Sequence, residues 1–253
     1  MAKFEDNRDC QRDQTGQMVF ISNPLMADTE SDWSPIHDAA YNGRLLSLRN
    51  TIQQGVSVNS VTLDQVSPLL LACLQGHVAC AKTLLEHGAN VNIPSVDGAT
   101  PLSEACTNGR ADCVRLLLQH GASVRPGSIS SSSPIHQAAA KGHTECVEVL
   151  LEHGVDIDLN TGQSGSPLHT ACANQHLGTV RRLLQLGASV NSSRNGEAPL
   201  HIASQLSNPE LVKALLDHGA DHKAKNKAGK QPVDMAPDNS PVRKLLADYQ
   251  GRC

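Results

Sequence analysis

Apolar residues recur along the chain in two short groups that alternate. The first group follows a proline, and the second contains a pair of leucines such as Leu84-Leu85. Successive prolines are 33 residues apart, except for one interval of 32. They are Pro35, Pro68, Pro101, Pro134, Pro167, Pro199 and Pro232. Because all seven keep one phase, the pattern indicates an array of similar units rather than a single globular core.

The sequence pattern of each unit predicts two helices and a loop. Serine or threonine precedes most of the prolines, and its hydroxyl is expected to accept a hydrogen bond from a free N–H of the first turn. Proline at the first helical position removes a donor that has no intrahelical partner. The leucine pair marks a second helix, which a left-handed glycine such as Gly88 ends. An extended loop with Asp97-Gly98 at its tip then leads to the next unit.

A period of 33 with a Thr-Pro-Leu-His start is the ankyrin signature. The sequence therefore predicts an all-α ankyrin-repeat solenoid of helix-turn-helix repeats with hairpin-like fingers. We expect an N-terminal extension over 1–30, partly disordered, and an ankyrin domain over 31–250. The predicted repeats are 34–66, 67–99, 100–132, 133–165, 166–197 and 198–230, which makes six full repeats, followed by a C-terminal capping repeat over 231–250.

Two repeats depart from the pattern at the turn between their helices. Glycine occupies this turn in the first four repeats, whereas Gln175 and Ser207 replace it in the fifth and sixth. A residue with a Cβ adopts the left-handed conformation less readily than glycine. We therefore expect the turns at Gln175 and Ser207 to differ in geometry from the other four.

Composition restricts the function. The chain has 21 basic and 25 acidic residues, so its net charge of −4 gives no general attraction to nucleic acid or to a membrane surface. No apolar run is long enough to cross a bilayer, and the polar start is unlike a signal peptide. Eight cysteines without an export signal indicate a reducing compartment. The predicted location is cytoplasmic, with a nuclear or mitochondrial location as alternatives.

Histidines and cysteines repeat in phase instead of forming a cluster. His37, His136, His169 and His201 each stand fourth in the Thr-Pro-Leu-His start, where an imidazole can bind neighbouring backbone. The repeated cysteines are expected to pack as small buried groups. A thiol or metal enzyme would need clustered ligands. We therefore predict no catalytic, cofactor-binding or metal site, and we interpret the lysine-rich segment 223–230 as a solvated loop.

A candidate protein-binding patch lies near the start of the array. The positions four and seven residues after each N-cap are expected on the concave face, and in the second repeat they carry Leu71 and Leu74. Tyr41 holds the seventh position of the first repeat, and Trp33 precedes its N-cap. Exposed apolar and aromatic groups favour protein interfaces. The alternative is that Trp33 seals the edge of the array and the leucines pack between repeats.

Apolar residues in the extension, notably Phe20 and Leu25, are added to this candidate site. The extension could cap the first repeat or reach into a partner, and the sequence leaves both possibilities open.

The segments 21–26 (ISNPLM) and 31–37 (SDWSPIH), with Ala-Cys pairs at 72–73, 105–106 and 171–172, resemble the ankyrin repeat and SOCS box family. The similarity covers about residues 20–247 and is greatest to the family's ninth member. It implies substrate recognition for an elongin–cullin–SOCS-box E3 ubiquitin ligase that directs targets to proteasomal degradation. In this family a SOCS box recruits elongins B and C and a cullin–RING scaffold. The ninth member implies creatine kinase as the substrate.

No elongin-binding motif follows Tyr249, so a SOCS box is expected to be absent from these 253 residues. The chain alone is then expected to bind substrate without recruiting the ligase. A different class of function remains open, namely a stand-alone ankyrin adaptor or inhibitor that sequesters an enzyme or a transcription factor.

Overall fold

The computed structural model describes residues 33–125, 133–161 and 164–250. Over these ranges the chain forms fourteen α-helices in consecutive pairs, with an extended loop, here called a finger, between one pair and the next. The helices are α1 (Pro35–Tyr41), α2 (Leu45–Gln53), α3 (Pro68–Gln75), α4 (Val78–Glu86), α5 (Pro101–Thr107), α6 (Ala111–Gln119), α7 (Pro134–Lys141), α8 (Thr144–Glu152), α9 (Pro167–Ala173), α10 (Leu177–Gln185), α11 (Pro199–Gln205), α12 (Pro209–Asp217), α13 (Pro232–Met235) and α14 (Pro241–Gln250). The extension 1–30, with Phe20 and Leu25, lies outside the described residues.

The first helix of each pair begins at a proline, and where a serine or threonine precedes that proline its hydroxyl has one of two roles. Ser67 Oγ accepts a hydrogen bond from Leu70 N–H at 3.2 Å, as predicted for an N-cap. The prediction is wrong at Ser133, whose hydroxyl instead lies 2.7 Å from His136 Nδ1. The difference arises because the third helical residue is a histidine there, and its ring nitrogen competes for the hydroxyl.

The core is a continuous layer between the helices instead of one centre. First helices pack on first helices, as α3 does on α1 and α5, and second helices pack in the same order. In the second to sixth repeats the first leucine of the pair is fully buried, namely Leu84, Leu117, Leu150, Leu183 and Leu215. Small residues between first helices, such as Ala72 and Ala105, are also fully buried. Each pair of helices therefore depends on its neighbours to cover its apolar face.

The turns between paired helices share one geometry. Gly109 and Gly142 have φ of +69° and +77°, and Gln175 and Ser207 have φ of +59° and +54°. The expected difference in geometry at Gln175 and Ser207 is therefore wrong. A backbone bond from His176 N–H to Ala171 O, at 3.0 Å, closes the turn at Gln175. The left-handed conformation costs a residue with a Cβ about 1 kcal/mol, which such a bond can offset.

Glycine at these turns has a second role, because a histidine of the next repeat covers it. A Cβ at Gly109 would lie 2.6 Å from His143 Nδ1, and one at Gly142 would lie 2.6 Å from His176 Nδ1. In the fifth repeat both partners change. Asn208 takes the histidine position, and its Nδ2 donates to Gln175 Oε1 at 3.2 Å. In the fifth repeat the glycine and the histidine that would cover it are therefore replaced together, whereas Gly76 in the second repeat is kept and is covered by Arg110.

The last pair closes the array with a shortened first helix. α13 has only four residues and is followed by Pro237, whereas α14 presents Val242 and Leu246 to the core, where both are fully buried. The short helix predicted to restart at Ser240-Pro241 is thus present. None of the described helices combines the length and the apolar character that crossing a membrane requires.

Candidate protein-binding face

Four histidines bind the start of a first helix to the last residue of the same repeat, just before the next repeat begins, and the sequence predicts such bonds to neighbouring backbone. His136 Nε2–H donates to Gly165 O at 2.8 Å, and because a carbonyl can only accept, this nitrogen carries the proton. Nδ1 of the neutral ring is then the acceptor for the Ser133 hydroxyl. His37, His169 and His201 make the equivalent Nε2 bonds to Val66 O, Glu197 O and Lys230 O. Both nitrogens of His136 are therefore occupied by structural bonds.

A second group of histidines bonds to the backbone of the preceding repeat. His77 Nε2–H donates to Tyr41 O at 3.0 Å, and His143 Nε2–H donates to Thr107 O at 3.1 Å. Each bond joins the start of a second helix to the end of the first helix of the preceding repeat. The junction between the second and third repeats has neither histidine, because Leu70 and Arg110 replace them. There Arg110 Nε donates to Leu74 O at 3.3 Å.

Burial lowers the pKa of His136 and of His169, although their backbone hydrogen bonds oppose the shift. Both rings are fully buried, so the charged imidazolium would lose its hydration. In the unfolded chain the same imidazoles bind a proton near their ordinary pKa of 6.5. Below that pH the unfolded state binds more protons than the folded state, and the free energy of unfolding must fall as the pH falls.

We therefore expect the urea midpoint of unfolding to decrease steadily from about pH 7.5 to about pH 5.5. The double variant His136→Gln/His169→Gln removes both titrating groups while it keeps hydrogen-bonding side chains. It should be less stable at neutral pH, but its midpoint should change less with pH. An equal pH dependence in parent and variant would show that other groups are responsible.

The cysteines of the described residues are buried and carry no ligand geometry. Burial raises the pKa of Cys146 and of Cys172 to about 12, so these thiols stay neutral at physiological pH. A neutral, enclosed thiol is a poor nucleophile and a poor metal ligand. In the part of the chain that the structure describes, no group of three or more His, Cys, Asp or Glu side chains is placed to hold a metal ion.

Two aromatic residues meet at the start of the concave face. The rings of Trp33 and Tyr41 are 5.2 Å apart between centroids and inclined at 66°, an edge-to-face contact. Both side chains are half-buried, so part of each ring faces solvent. Leu74 is half-buried at the equivalent position of α3, the helix that packs on α1. The structure thus places Tyr41 and Leu74 on adjoining helices, with Trp33 just before α1 against Tyr41, and these three residues are here called the aromatic patch.

Leu71 does not have the exposure that the sequence analysis assumed. Only 4% of its surface is exposed, whereas Asp38 and Glu104 at the same position of their repeats are half-buried. The physical reason is that α3 carries three consecutive leucines and is flanked by α1 and α5, so an apolar side chain here packs inward. Phe20 and Leu25 lie outside the described residues, and their proposed role stays a prediction.

Sequence reasoning missed a second apolar group, which lies on the fingers. Val61, Leu63 and Val96 are 45%, 87% and 64% exposed. The first two fingers are joined at their tips, because Val96 N–H donates to Asp64 O at 2.9 Å. A usable signal was present in the repeat phase: Leu63 and Val96 are 33 residues apart and each precedes an aspartate at a finger tip. An apolar residue at that position cannot belong to the helical core.

One carboxylate on the concave face has no cationic partner among the described residues. Burial raises the pKa of Glu104, and a hydrogen bond from Asn108 Nδ2, at 3.3 Å, partly opposes the shift. Asp38, at the same position of the first repeat, is paired with Arg44 at 2.9 Å. Glu104 can therefore accept hydrogen bonds or a positive charge from a bound protein.

Asparagine and aspartate side chains hold the fingers in register. Asn59 Nδ2 donates to Gly88 O at 3.0 Å, and its Oδ1 accepts from Asn90 N–H at 2.7 Å. In equivalent bonds, the side-chain oxygens of Asn92, Asp158 and Asn191 accept from a backbone N–H of the next finger. The donors are Ser123, Ser189 and Asp221, respectively. Arg125 occupies this position in the third repeat and interrupts the series. Fingers fixed in this way lose little conformational entropy when a protein binds them.

Comparisons with known proteins agree with this architecture. Residues 36–128, 95–161 and 135–226 match the family model described as ankyrin repeats in three copies. Ankyrin repeat and SOCS box protein 9 of Mus musculus is 50% identical over 234 residues, which are 92% of this chain and 80% of that protein. The Homo sapiens protein of the same name is 54% identical over 232 residues, 92% of this chain and 79% of its own length.

Solved structures show the same fold. The crystal structure of the human ASB11 ankyrin repeat domain is 48% identical and superimposes with a TM-score of 0.80, covering 85% of this chain and 97% of that domain. The ankyrin repeat domain of Bcl-3, described as a unique member of the IkappaB protein family, is 29% identical with a TM-score of 0.72, covering 86% and 100%. The predicted ankyrin solenoid is confirmed, whereas the predicted bounds and number of the repeats stay predictions.

Proposed function

The chain belongs to the ankyrin repeat and SOCS box family, and we propose that its array is the substrate-recognition part of an elongin–cullin–SOCS-box E3 ubiquitin ligase. Ankyrin repeats are a protein-interaction module, and the array would hold a target protein for ubiquitination and proteasomal degradation. The observation that carries the proposal is the identity of at least 50% with two such family members along 92% of the chain.

The geometry supports binding at the N-terminal end of the concave face. The aromatic patch provides partly exposed rings, and the joined first and second fingers provide Leu63 and Val96. Glu104 adds one charged group that lacks a cation of its own among the described side chains. Apolar anchors surrounded by polar groups are the usual composition of a protein interface.

Creatine kinase is the proposed substrate, because the resemblance to the family's ninth member implies it and the chain is 50% and 54% identical to two proteins of that name. The purified 253-residue chain is titrated with creatine kinase in a calorimeter, with serum albumin as the control protein. We expect saturable binding with a Kd of about 1 µM or tighter for creatine kinase only. Absence of binding to creatine kinase would reject this substrate and leave the family membership unchanged.

Ligase recruitment is tested separately in cells. A form of the protein that carries a SOCS box should co-purify with elongins B and C and a cullin, and it should increase ubiquitination of the bound target. Residues 1–253 serve as the comparison in the same experiment. Ubiquitination of the target that is equal with and without the box would contradict the ligase proposal.

The alternative is an ankyrin adaptor or inhibitor that sequesters an enzyme or a transcription factor. It is supported by the likeness to the Bcl-3 ankyrin domain, which has a TM-score of 0.72 at 29% identity. Under this alternative the target is bound and its activity is inhibited, while its lifetime in cells is unchanged. Measuring target half-life with and without a proteasome inhibitor separates the two functions.

A further inference from the structure

The sixth finger, residues 221–230, concentrates positive charge at the C-terminal end of the array. Lys223, Lys225, Lys227 and Lys230 are all exposed, whereas the intervening Ala224 and Asn226 are half-buried. Lys223, Lys225 and Lys227 are thus the exposed members of an alternating run that lies between two turns of the finger, closed by the bonds from Ala224 N–H to Asp221 O and from Gly229 N–H to Asn226 O. The finger therefore presents a row of ammonium groups on a chain whose net charge is −4.

These charges are not neutralised by neighbouring carboxylates. Every ion pair found in the described ranges uses an arginine, and none uses a lysine of the finger. The carboxylate of Asp221 accepts from Lys223 N–H at 2.8 Å, a backbone bond that leaves the ammonium free. Asp234 is occupied in the same way by Gln231 N–H at 2.9 Å.

The finger is ordered before any partner arrives. Asn226 Oδ1 accepts from Ala228 N–H and from Lys230 N–H, each at 3.0 Å, and Asn226 N–H donates to Lys230 O at 2.9 Å. The aliphatic part of Lys227 also lies across the tip of the preceding finger, where a Cβ at Gly196 would overlap its Cγ. An ordered backbone and a supported side chain reduce the entropy cost of binding.

Arg194 adds a positive charge on the neighbouring fifth finger. A Cβ at Gly165 would lie 2.9 Å from Arg194 Cβ and 3.0 Å from its Cδ, so this side chain crosses the fourth finger as Lys227 crosses the fifth. Arg194 is half-buried and belongs to none of the ion pairs in the described residues. Two successive finger tips are therefore covered by basic side chains in the same manner.

We propose that Arg194 and the four lysines of the sixth finger, here called the basic row, form a docking surface for an acidic, extended segment of a protein partner. This inference rests on the proposed protein-binding function and adds the charge and conformation of what is bound. Aspartate or glutamate at alternate positions of an extended segment matches the spacing of the lysines. No aromatic ring lies between the lysines to stack on bases, and no large apolar side chain is present there to enter a bilayer.

The test compares two variants with the same change in net charge. One is Lys223→Gln/Lys225→Gln/Lys227→Gln/Lys230→Gln, and the matched control is Lys82→Gln/Lys141→Gln/Lys213→Gln/Lys244→Gln, at four exposed lysines elsewhere on the array. The probe is fluorescein-labelled decaglutamate, and binding is followed by fluorescence anisotropy. We expect the finger variant to bind about tenfold more weakly than the parent, the control variant to bind within about twofold, and added salt to weaken parent binding.

Equal losses in the two variants would overturn the inference, because net charge alone would then explain binding. Tighter binding of a duplex DNA or of phosphatidylserine vesicles than of decaglutamate would also overturn it. If the finger variant binds decaglutamate as the parent does, the docking surface is wrong, whereas the calorimetric titration with creatine kinase still decides the proposed substrate. Circular dichroism of each variant confirms that the helices are retained.

Discussion

Replacing Gly109 with alanine is expected to destabilise the array by about 3 kcal/mol, against about 1 kcal/mol for the same replacement at Gly121. Both glycines have positive φ, +69° and +79°, so both substitutions incur the cost of a left-handed alanine. Nothing lies within 4 Å of a Cβ at Gly121, whereas a Cβ at Gly109 would lie 2.6 Å from His143 Nδ1. The difference between the two variants therefore isolates the contact between repeats.

The additional cost at Gly109 has an identified source. The imidazole of His143 must move, and its Nε2–H then loses the bond to Thr107 O, at 3.1 Å. Breaking this partly buried hydrogen bond costs about 1 kcal/mol, and overpacking adds about 1 kcal/mol more. Since Thr107 ends α5 and His143 precedes α8, the loss should weaken the junction between the third and fourth repeats.

Urea unfolding of Gly109→Ala, Gly121→Ala, His143→Ala and the double variant Gly109→Ala/His143→Ala measures this effect. In the double variant the methyl group no longer meets a ring, so its stability should exceed the value expected from adding the two single losses. Equal destabilisation by Gly109→Ala and Gly121→Ala, or strict additivity in the cycle, would contradict the proposed contact.

The double variant Trp33→Ala/Tyr41→Ala is expected to lower the affinity for creatine kinase about 100-fold, which is about 2.7 kcal/mol. The two rings support each other in an edge-to-face contact, and each leaves part of its surface for a partner. Aromatic residues of this kind contribute most where a bound protein excludes water from them. The substitution leaves the histidine bond to Tyr41 intact, because the acceptor is the backbone oxygen.

Tyr249→Ala provides a matched control at the opposite end of the array. Tyr249 also makes an edge-to-face contact, with the ring of His222 at 5.5 Å, and it is 36% exposed. Its removal should leave the affinity unchanged, and calorimetry on variants with native urea midpoints measures both effects. Unchanged affinity of Trp33→Ala/Tyr41→Ala in a folded protein would exclude the aromatic patch as the binding site.

Leu71 is not suitable for this test, although it was part of the predicted site. Its side chain is buried, so Leu71→Ala would leave a cavity and destabilise the array by about 2–5 kcal/mol. A loss of binding would then report unfolding. Leu74, which is half-buried on the same helix, is the better leucine to substitute.

Much of the fold follows from the sequence because a repeat array has mainly neighbouring contacts. The proline, leucine-pair and glycine positions predict where each helix begins and ends, and the phase of His136 and His169 predicts their backbone bonds. These features depend on local hydrogen bonding and on the nearest repeat, which the period specifies. The family resemblance, carried by residues 21–26 and 31–37, is confirmed by the sequence identity to two family members along 92% of the chain.

The sequence alone determined the period, the pairs of helices, the glycine at helix ends and the in-phase roles of the histidines. Only the tertiary structure decided that Leu71 is buried, that the Ser133 hydroxyl binds a histidine instead of backbone N–H, and that Gln175 keeps the left-handed turn. It also joined the first two finger tips through the bond from Val96 N–H to Asp64 O, and it left Leu63 and Val96 exposed there. The physical reason is that periodicity gives the face on which a residue lies, whereas its exposure and its hydrogen-bond partner depend on which neighbouring atoms compete for the same space.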